Sequence, residues 1–333
     1  MPKTIEISHR TILFTIGILI GGWLILQIRD ILYLLFISFI LTTAMRPIVD
    51  FLTSKKIPRV LSIFLLYILT IGILGGIIGS VIPQIASQST HLVQTLPRVA
   101  QQILPSLNLD FSSFSNQVAP ITQNIVQLGV QIFNNIVTVV TMLVFTFYFL
   151  LGRNHLERTI AQFVRKEETK KIVQILSEVE EKLGAWARGQ IILMVIIGIA
   201  TYIGLTLLRV DFALPLAVFA GLLEMVPMIG PIISAVPAIL VALTISPLLG
   251  LSVAALYFVI QQFENHIVVP QVMRRSVGLS PVLIIVSFMI GGRFEGAVGA
   301  ILAVPAILVA QVIIGHFLNE REQKTLNDTT KTS

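Results

Sequence analysis

Long apolar runs separated by short polar clusters dominate the sequence. A run of about 20 apolar residues is long enough to cross a bilayer as a helix, and only helices or closed barrels satisfy the backbone there. The pattern therefore predicts helical spans at about 11–28, 31–45, 60–82, 125–151, 190–208 and 248–269.

Two further apolar segments are divided into shorter pieces. "PMIGP" (Pro227 to Pro231) splits segment 212–245, and "GGRFEG" splits segment 281–315. A piece of about 15 residues is roughly 22 Å long, whereas the hydrocarbon core is about 30 Å thick. We therefore predict a re-entrant hairpin or a broken helix pair at each place. The predicted fold is an all-α polytopic membrane protein of about eight membrane segments, two of which are these hairpins.

The octapeptide "AVPAILVA" occurs in both split segments, at Ala235–Ala242 and again at Ala303–Ala310. Its proline frees the carbonyl four residues earlier, which is tolerated in lipid where that carbonyl faces protein or a wet cavity. The repeat indicates an inverted-topology pair of hairpins around a substrate site. A chance match in an apolar chain is the alternative.

Two polar stretches interrupt the apolar pattern. Residues 84–125 are rich in Gln, Ser, Asn and Pro, with apolar residues at helical spacing, and predict an amphipathic helical insert. This insert can lie on the membrane or at a contact between subunits. Residues 153–188 carry mixed charges and predict one or two solvated helices.

Composition excludes a soluble globular protein. The chain has 333 residues, of which 55% are hydrophobic and 12% charged, and its mean hydropathy is +0.90. Soluble domains carry about 25% charged residues. The absence of cysteine excludes disulfides and thiolate metal sites. Scattered histidines and missing hydrolase and phosphate-loop motifs predict that the protein is no enzyme and holds no cofactor or metal.

The net charge of +6 comes from basic residues in short clusters between the apolar runs, where they act as topology signals. Nucleic-acid binding is therefore not expected. Basic residues cluster around 46–59, at 153–171 and at 274–275, whereas residues 84–125 contain one basic residue. The positive-inside rule then places both termini in the cytoplasm and the insert outside. The first hairpin enters from outside and the second from inside.

Glu224 is the first candidate functional residue. An intramembrane carboxylate costs about 2.5 to 3.5 kcal/mol at a helix centre, so it usually faces a cavity or a partner. Glu224 could bind a cation, carry a proton or accept a substrate hydroxyl; a position at the interface is the alternative. Pro227, Gly230 and Pro231 form the adjacent break.

Two other polar motifs complete the predicted substrate or ion path. "QQFENH" brings Gln261, Glu264 and Asn265 near one helix face, or simply ends a helix at the cytoplasmic surface. "GGRFEG" contains Arg293 and Glu295, which predict either an internal pair that holds the hairpin tip or a site for an anion.

Three stretches resemble the autoinducer-2 exporter family of bacterial permeases: "EMVPMIGPIISAVPA", "QQFENHIVVPQVMRRSVGLSPV" and "GGRFEGAVGAILAVPA". The resemblance is strongest over 212–315, and Ser280 stands where many relatives carry His. It implies a multi-pass permease of the bacterial inner membrane that forms homo-oligomers, pentamers among them, and moves its substrate on a mobile hairpin domain. Family members have been linked to export of the furanone signal autoinducer-2 and to sodium (lithium)/proton exchange.

The sequence thus predicts a secondary transporter that exports a small polar solute such as this furanone. A sodium (lithium)/proton antiporter that titrates Glu224 is the first alternative, and a non-transporting membrane scaffold is the second. The expected partners are the lipid bilayer, a small polar solute or a monovalent cation and proton, and further copies of the chain. The predicted regions are a three-span scaffold (1–83), the insert (84–125), a fourth span with charged helices (126–188), a transport core (189–316) and a cytoplasmic tail (317–333).

Overall fold

The computed structural model describes residues 9–73, 75–76, 79, 136–227, 229–273 and 280–331, and every regular element among them is helical. The predicted insert 84–125 and the first residues of the predicted fourth span lie outside this described part. The helices are α1 (His9–Gln27), α2 (Arg29–Ser54), α3 (Arg59–Ile73), α4 (Ile136–Phe163), α5 (Lys166–Leu207), α6 (Ala213–Leu223), α7 (Ile229–Ile245), α8 (Pro247–Phe263), a π-helical segment (Glu264–Val268), α9 (Val269–Val272) and α10 (Pro281–Lys331).

Within the described residues, four stretches are long and apolar enough to cross a membrane: Arg29–Ser54, Glu168–Leu207, Pro247–Val272 and Val282–Leu318. Five shorter apolar helices accompany them. The all-helical, multi-span class predicted from the sequence is therefore confirmed, while the count of eight membrane segments stays a prediction. Exposed apolar side chains such as Leu13, Phe14 and Trp23 on α1 fit a surface that faces lipid.

Helices α2, α3 and α4 pack into a first bundle. Its buried cluster contains Met45, Val49, Ile63, Leu66, Tyr67 and Leu150. Polar side chains connect the helices as well: the Tyr67 hydroxyl donates to the carbonyl of Leu143 at 2.8 Å, and the Ser38 hydroxyl lies 3.1 Å from the carbonyl of Met142. The first bundle is thus held by apolar packing and by hydrogen bonds between helices.

Helix α5 is one continuous helix of 42 residues, where the sequence predicted charged helices followed by a separate span. No proline or other helix breaker interrupts 166–207, so the charged half and the apolar half propagate as one helix. At about 1.5 Å per residue it is roughly 63 Å long, about twice the hydrocarbon core. It therefore extends from the membrane into the polar phase and contacts α2, α6, α8 and α10.

Two helical hairpins follow α5. In the first, α6 and α7 have 11 and 17 residues, and a turn at 224–227 follows α6. The second is formed within α10, where Glu295 and Gly296 leave the helical conformation and Gly296 has a φ of 56°. Gly291 and Gly299 pack backbone to backbone, so the two limbs of this hairpin cross closely. The short limbs agree with the predicted breaks; entry of the hairpins from opposite faces stays a prediction.

Both copies of "AVPAILVA" begin at the seventh residue of the second limb of a hairpin, counted from Ile229 and from residue 297. Neither proline ends its helix, because Pro237 and Pro305 lie inside α7 and α10. The buried faces differ, however. The first copy buries Ala238, Leu240, Val241 and Ala242, whereas the second buries Ala303, Val304, Pro305 and Leu308. The repeat therefore marks equivalent places in the chain that pack in different ways.

Candidate functional site

Glu224 lies in the turn that ends α6, and its side chain is fully buried. Helix α6 reaches this depth because Gly221 packs directly against Gly198 and the carbonyl of Met194 on α5. Any larger residue at position 221 would separate the two helices. Close packing of small residues thus delivers a carboxyl group into the interior of the α5–α8 bundle.

Glu264 faces Glu224 from the other side. It begins the π-helical segment, in which the Val269 amide donates to the Glu264 carbonyl five residues earlier. Pro270 follows at once and has no amide hydrogen for the regular helical pattern. Such π-bulges are frequent at functional sites. Here the widened turn carries Glu264, which is 3% exposed, to the carboxyl group of Glu224.

The two carboxyl groups lie within hydrogen-bonding reach of one another. Ionised carboxylates only accept hydrogen bonds, so a bond between them requires a proton on one of the two. Without that proton, neither oxygen of Glu224 has a donor within the described part of the chain. Two adjacent buried carboxylates also repel each other strongly. The geometry therefore favours a pair that holds one proton.

Gln190 of α5 positions this pair. Its amide nitrogen donates to the backbone carbonyl of Glu224 at 2.5 Å. That carbonyl lies at the C-terminal end of α6, where carbonyls run out of helical amide partners, so Gln190 caps the helix end. Gln190 is 3% exposed, and its amide oxygen is without a partner in the described residues. The sequence prediction treated Gln190 only as the start of a span, although an amide inside an apolar run is a visible signal.

Gln261 and Asn265, the other two predicted site residues of "QQFENH", lie around Glu264. The amide nitrogen of Gln261 is 3.3 Å from a carboxyl oxygen of Glu264 and 3.5 Å from the amide oxygen of Asn265. Gln261 is half-buried and Asn265 is exposed. The expected shared face is thus present, with Glu264 at its buried end and Asn265 at its accessible end.

The break residues shape the turn itself. Gly230 is buried against the carbonyl of Leu223, where a side chain would collide with the backbone, and its amide donates to Val226 at 2.9 Å. Pro227 and Pro231 are half-buried on either side. Val226 of this turn packs against a buried cluster to which α2, α5 and α10 all contribute side chains.

Arg293 and Glu295 do not form the internal pair considered from the sequence. Arg293 is exposed, and the ion pair of Glu295 is made with Arg29 at the start of α2, at 3.2 Å. This contact connects the tip of the second hairpin to the first bundle. The sequence alone could not assign Arg29 to it, because the two residues are 266 positions apart in the chain.

Comparison with known proteins identifies the chain. The family of AI-2E family transporters matches it over residues 12–319. The chain belongs to the AI-2E transporter family. Two Bacillus subtilis (strain 168) proteins, YrrI and YueF, are each 28% identical to it; the alignments cover 90% and 92% of this chain and 90% of each relative. YhhT of Escherichia coli (strain K12) is 36% identical over 116 residues, 34% of this chain and 33% of YhhT.

All three relatives carry provisional names as transport proteins. Family membership and the apolar helices together make this AI-2E protein a multi-pass membrane protein of a transport family. Among the described residues, no group of three or more metal-ligating side chains occurs. The chemistry that the site offers is therefore that of carboxyl and amide groups: proton exchange and the binding of hydroxyls or hard cations.

Proposed function

We propose that this protein is a secondary transporter that exports a small polar solute, such as the furanone autoinducer-2 after which the family is named. Proton exchange at Glu224 and Glu264 drives the transport. The observation that carries the proposal is the buried contact between the two carboxyl groups. A buried carboxyl pair can take up a proton from one side of a membrane and lose it to the other when its exposure changes.

The hairpins suit this role. Glu224 lies in the turn of one hairpin, Val226 of the same turn packs against a cluster shared by α2, α5 and α10, and Glu295 of the second hairpin contacts the first bundle. Movement of the hairpins against the bundle would change the surroundings of the carboxyl pair. Gln261 and Asn265 extend from Glu264 to the accessible surface and offer the amide groups that a polar solute needs.

Sodium or lithium exchange against protons is a second candidate. The carboxyl oxygens of Glu224 and the amide oxygen of Gln190, which accept no hydrogen bond from the described residues, are hard donors of the kind that alkali cations bind. In that case the cation and the proton compete for the same carboxyl pair, whereas a solute exporter keeps separate places for proton and cargo.

Flux through purified protein in proteoliposomes tests the proposal. Labelled furanone and the internal pH are followed together, with and without a sodium gradient. Glu224→Gln and Glu264→Gln should each lower coupled proton movement at least about tenfold, equivalent to about 1.4 kcal/mol. Glu181→Gln, at an exposed position on α5, is the matched control and should transport like the wild-type protein.

The pattern of fluxes separates the candidates. Furanone movement coupled to protons supports export of a polar solute, and a sodium-dependent pH change without furanone movement supports the antiporter. Undiminished proton coupling in both Gln variants would contradict the role of the pair. Silence of the wild-type protein in all assays would favour the non-transporting scaffold.

A further inference from the structure

The buried side-chain atoms that lack a hydrogen-bond partner, within the described residues, share one part of the fold. They belong to Gln190 and Thr201 of α5, to Glu224 after α6, and to Tyr257 of α8. Gln190 and Glu224 form the carboxyl site. Thr201 and Tyr257 have no role there, although Thr201 is fully buried and Tyr257 is 7% exposed.

Thr201 departs from what other helical hydroxyls of this protein do. A buried threonine in a helix normally donates to the carbonyl three or four residues earlier. Thr42 and Thr146 do so at 2.7 and 2.8 Å. The hydroxyl of Thr201 makes no such bond within the described residues, so it is oriented away from its own backbone.

Tyr257 shows the same contrast with Tyr67. The hydroxyl of Tyr67 donates to a backbone carbonyl of the neighbouring helix at 2.8 Å. Tyr257 instead packs among Leu205, Val253 and other apolar side chains with its hydroxyl unpartnered in the described part of the chain. Buried hydroxyls in proteins are nearly always bonded to protein or to water. Thr201 and Tyr257 are therefore two donors and acceptors available to water.

Contacts between α5 and α8–α9 place these hydroxyls relative to the carboxyl pair. Gly189 lies against Met273 and Gly204 against Leu256, so the two helices run antiparallel. Glu264 follows Leu256 by eight residues. Because Leu256 contacts Gly204 and the helices are antiparallel, Glu264 is level with a position on α5 about eight residues before Gly204. Thr201 is about five residues, or roughly 7 Å, beyond that level along α5.

Tyr257 lies further in the same direction, one residue from Leu256 and thus close to the level of Gly204. It packs in the same cluster as Leu205, which is one helical turn after Thr201. The order along the α5–α8 interface is therefore the carboxyl pair, then Thr201, then Tyr257. This direction leads to the C-terminal end of α5, which the positive-inside rule assigns to the outside.

We propose that Thr201 and Tyr257, together with intervening water, form the proton path between the Glu224–Glu264 pair and the outer face. The proposal rests on the proposed function of that pair. Each hydroxyl donates its own proton to the next oxygen as it accepts one from the previous oxygen. The net result is the transfer of one proton between the pair and the outer water, and neither side chain remains charged.

Proteoliposomes provide the test, with the gradient of furanone or sodium that drives proton movement in the wild-type protein. Thr201→Val and Tyr257→Phe remove the hydroxyls at nearly constant shape. Each should slow proton movement by about tenfold. This is less than the about 10²–10⁴-fold that a positioned proton donor contributes when it acts directly, because each hydroxyl here acts together with water. The cargo concentration that gives half-maximal transport should stay unchanged. Thr201→Ser keeps a hydroxyl and should restore most of the rate.

Thr141→Val and Tyr148→Phe remove hydroxyls from the half-buried Thr141 and the exposed Tyr148 of α4 and serve as controls. Wild-type proton rates in Thr201→Val and Tyr257→Phe, with loss of coupling in Glu224→Gln, would overturn the path but leave the proposed function intact. Undiminished coupling in Glu224→Gln and Glu264→Gln would overturn both. Equal slowing by Thr201→Val and Thr201→Ser would overturn the role of the hydroxyl, because a repacking defect would then explain the loss.

Discussion

The first bundle (α2, α3, α4) and the second bundle (α5 to α8) differ in their buried polar groups, although Thr169 and Ser234 of the second bundle also donate to backbone carbonyls. In the first, the hydroxyls of Ser38, Thr42, Ser62 and Thr146 each donate to a backbone carbonyl. In the second, Gln190, Thr201, Glu224 and Tyr257 keep atoms without partners among the described residues. An unsatisfied buried group costs about 1–3 kcal/mol.

The difference indicates that the two bundles have different roles. Hydrogen bonds between helices, such as those from Ser38 to Met142 and from Tyr67 to Leu143, favour one packing of the first bundle. The second bundle tolerates a cost at four neighbouring places, and functional sites are where such local costs are expected. Helix α5 belongs to the second bundle but also contacts the first, so it transmits any movement between them.

The largest effect is expected where α5 meets α2. Pro47 lies inside α2 and cannot donate to the carbonyl of Thr43, which instead accepts from the guanidinium of Arg188 at 3.1 Å. Arg188→Ala should lower the free energy of unfolding by about 2–3 kcal/mol, because a hydrogen bond to a charged group is lost and the carbonyl is left buried. Unfolding in mixed detergent micelles measures this.

Pro47→Ala provides the matched test of this explanation. Alanine restores an amide hydrogen that can donate to Thr43 within α2. In the Pro47→Ala background, Arg188→Ala should therefore cost less than half of what it costs in the wild-type protein. Equal costs in both backgrounds would show that the Thr43 carbonyl is not the reason for the loss.

A second comparison concerns two carboxyl groups of the second bundle, the half-buried Glu180 and the fully buried Glu224. Glu180 pairs with Arg46 of α2 at 2.8 Å, whereas Glu224 faces another carboxyl group. Glu180→Met should destabilise the protein by about 1–3 kcal/mol, because it leaves Arg46 without this partner. Glu224→Met should leave stability unchanged or raise it, since replacing a poorly compensated buried carboxyl group with an apolar side chain is often neutral or favourable.

The midpoint of thermal unfolding in detergent gives both values. The prediction fails if Glu224→Met destabilises the protein as much as Glu180→Met does. Transport must be measured alongside, because the Glu224 variant should be stable and inactive at the same time.

The two buried tyrosines allow a smaller and cleaner comparison. Tyr67→Phe removes a hydrogen bond to Leu143 and should cost about 0.5–1.5 kcal/mol. Tyr257→Phe removes a hydroxyl without a partner in the described residues and should cost less, or stabilise the protein slightly. Unfolding midpoints that rank the two variants in the reverse order would contradict the contrast between the bundles.

The smallest effect on stability is expected at the contact between Arg29 and Glu295. Arg29 is 53% exposed, and exposed ion pairs contribute about 0–1 kcal/mol. Arg29→Gln should therefore change the unfolding midpoint very little but alter the rate of transport, because the contact connects the second hairpin to the first bundle. An unchanged transport rate would show that this contact does not control the hairpin.

The sequence predicted much of the fold because membrane spans are local features. Length and apolarity identify α2 and α8, and Pro227, Gly230 and Gly296 mark the two breaks. Continuity of α5 was missed because its charged and apolar halves differ in composition while the backbone has no reason to stop. The role of Gln190 was missed because it depends on the carbonyl of Glu224, 34 residues away.

Taken alone, the sequence determined the membrane environment, the helical class, the places of the breaks and the presence of Glu224 within an apolar segment. Each of these follows from hydrogen bonding and transfer free energy along a single stretch of chain. Only the tertiary structure decided that the two carboxyl groups meet and that Gln190 caps the turn between the hairpin limbs. It also decided that Thr201 and Tyr257, further along the same interface, have hydroxyls without a partner in the described residues. These features depend on the register of α5, α6 and α8, and that register is set by close glycine contacts between helices distant in sequence.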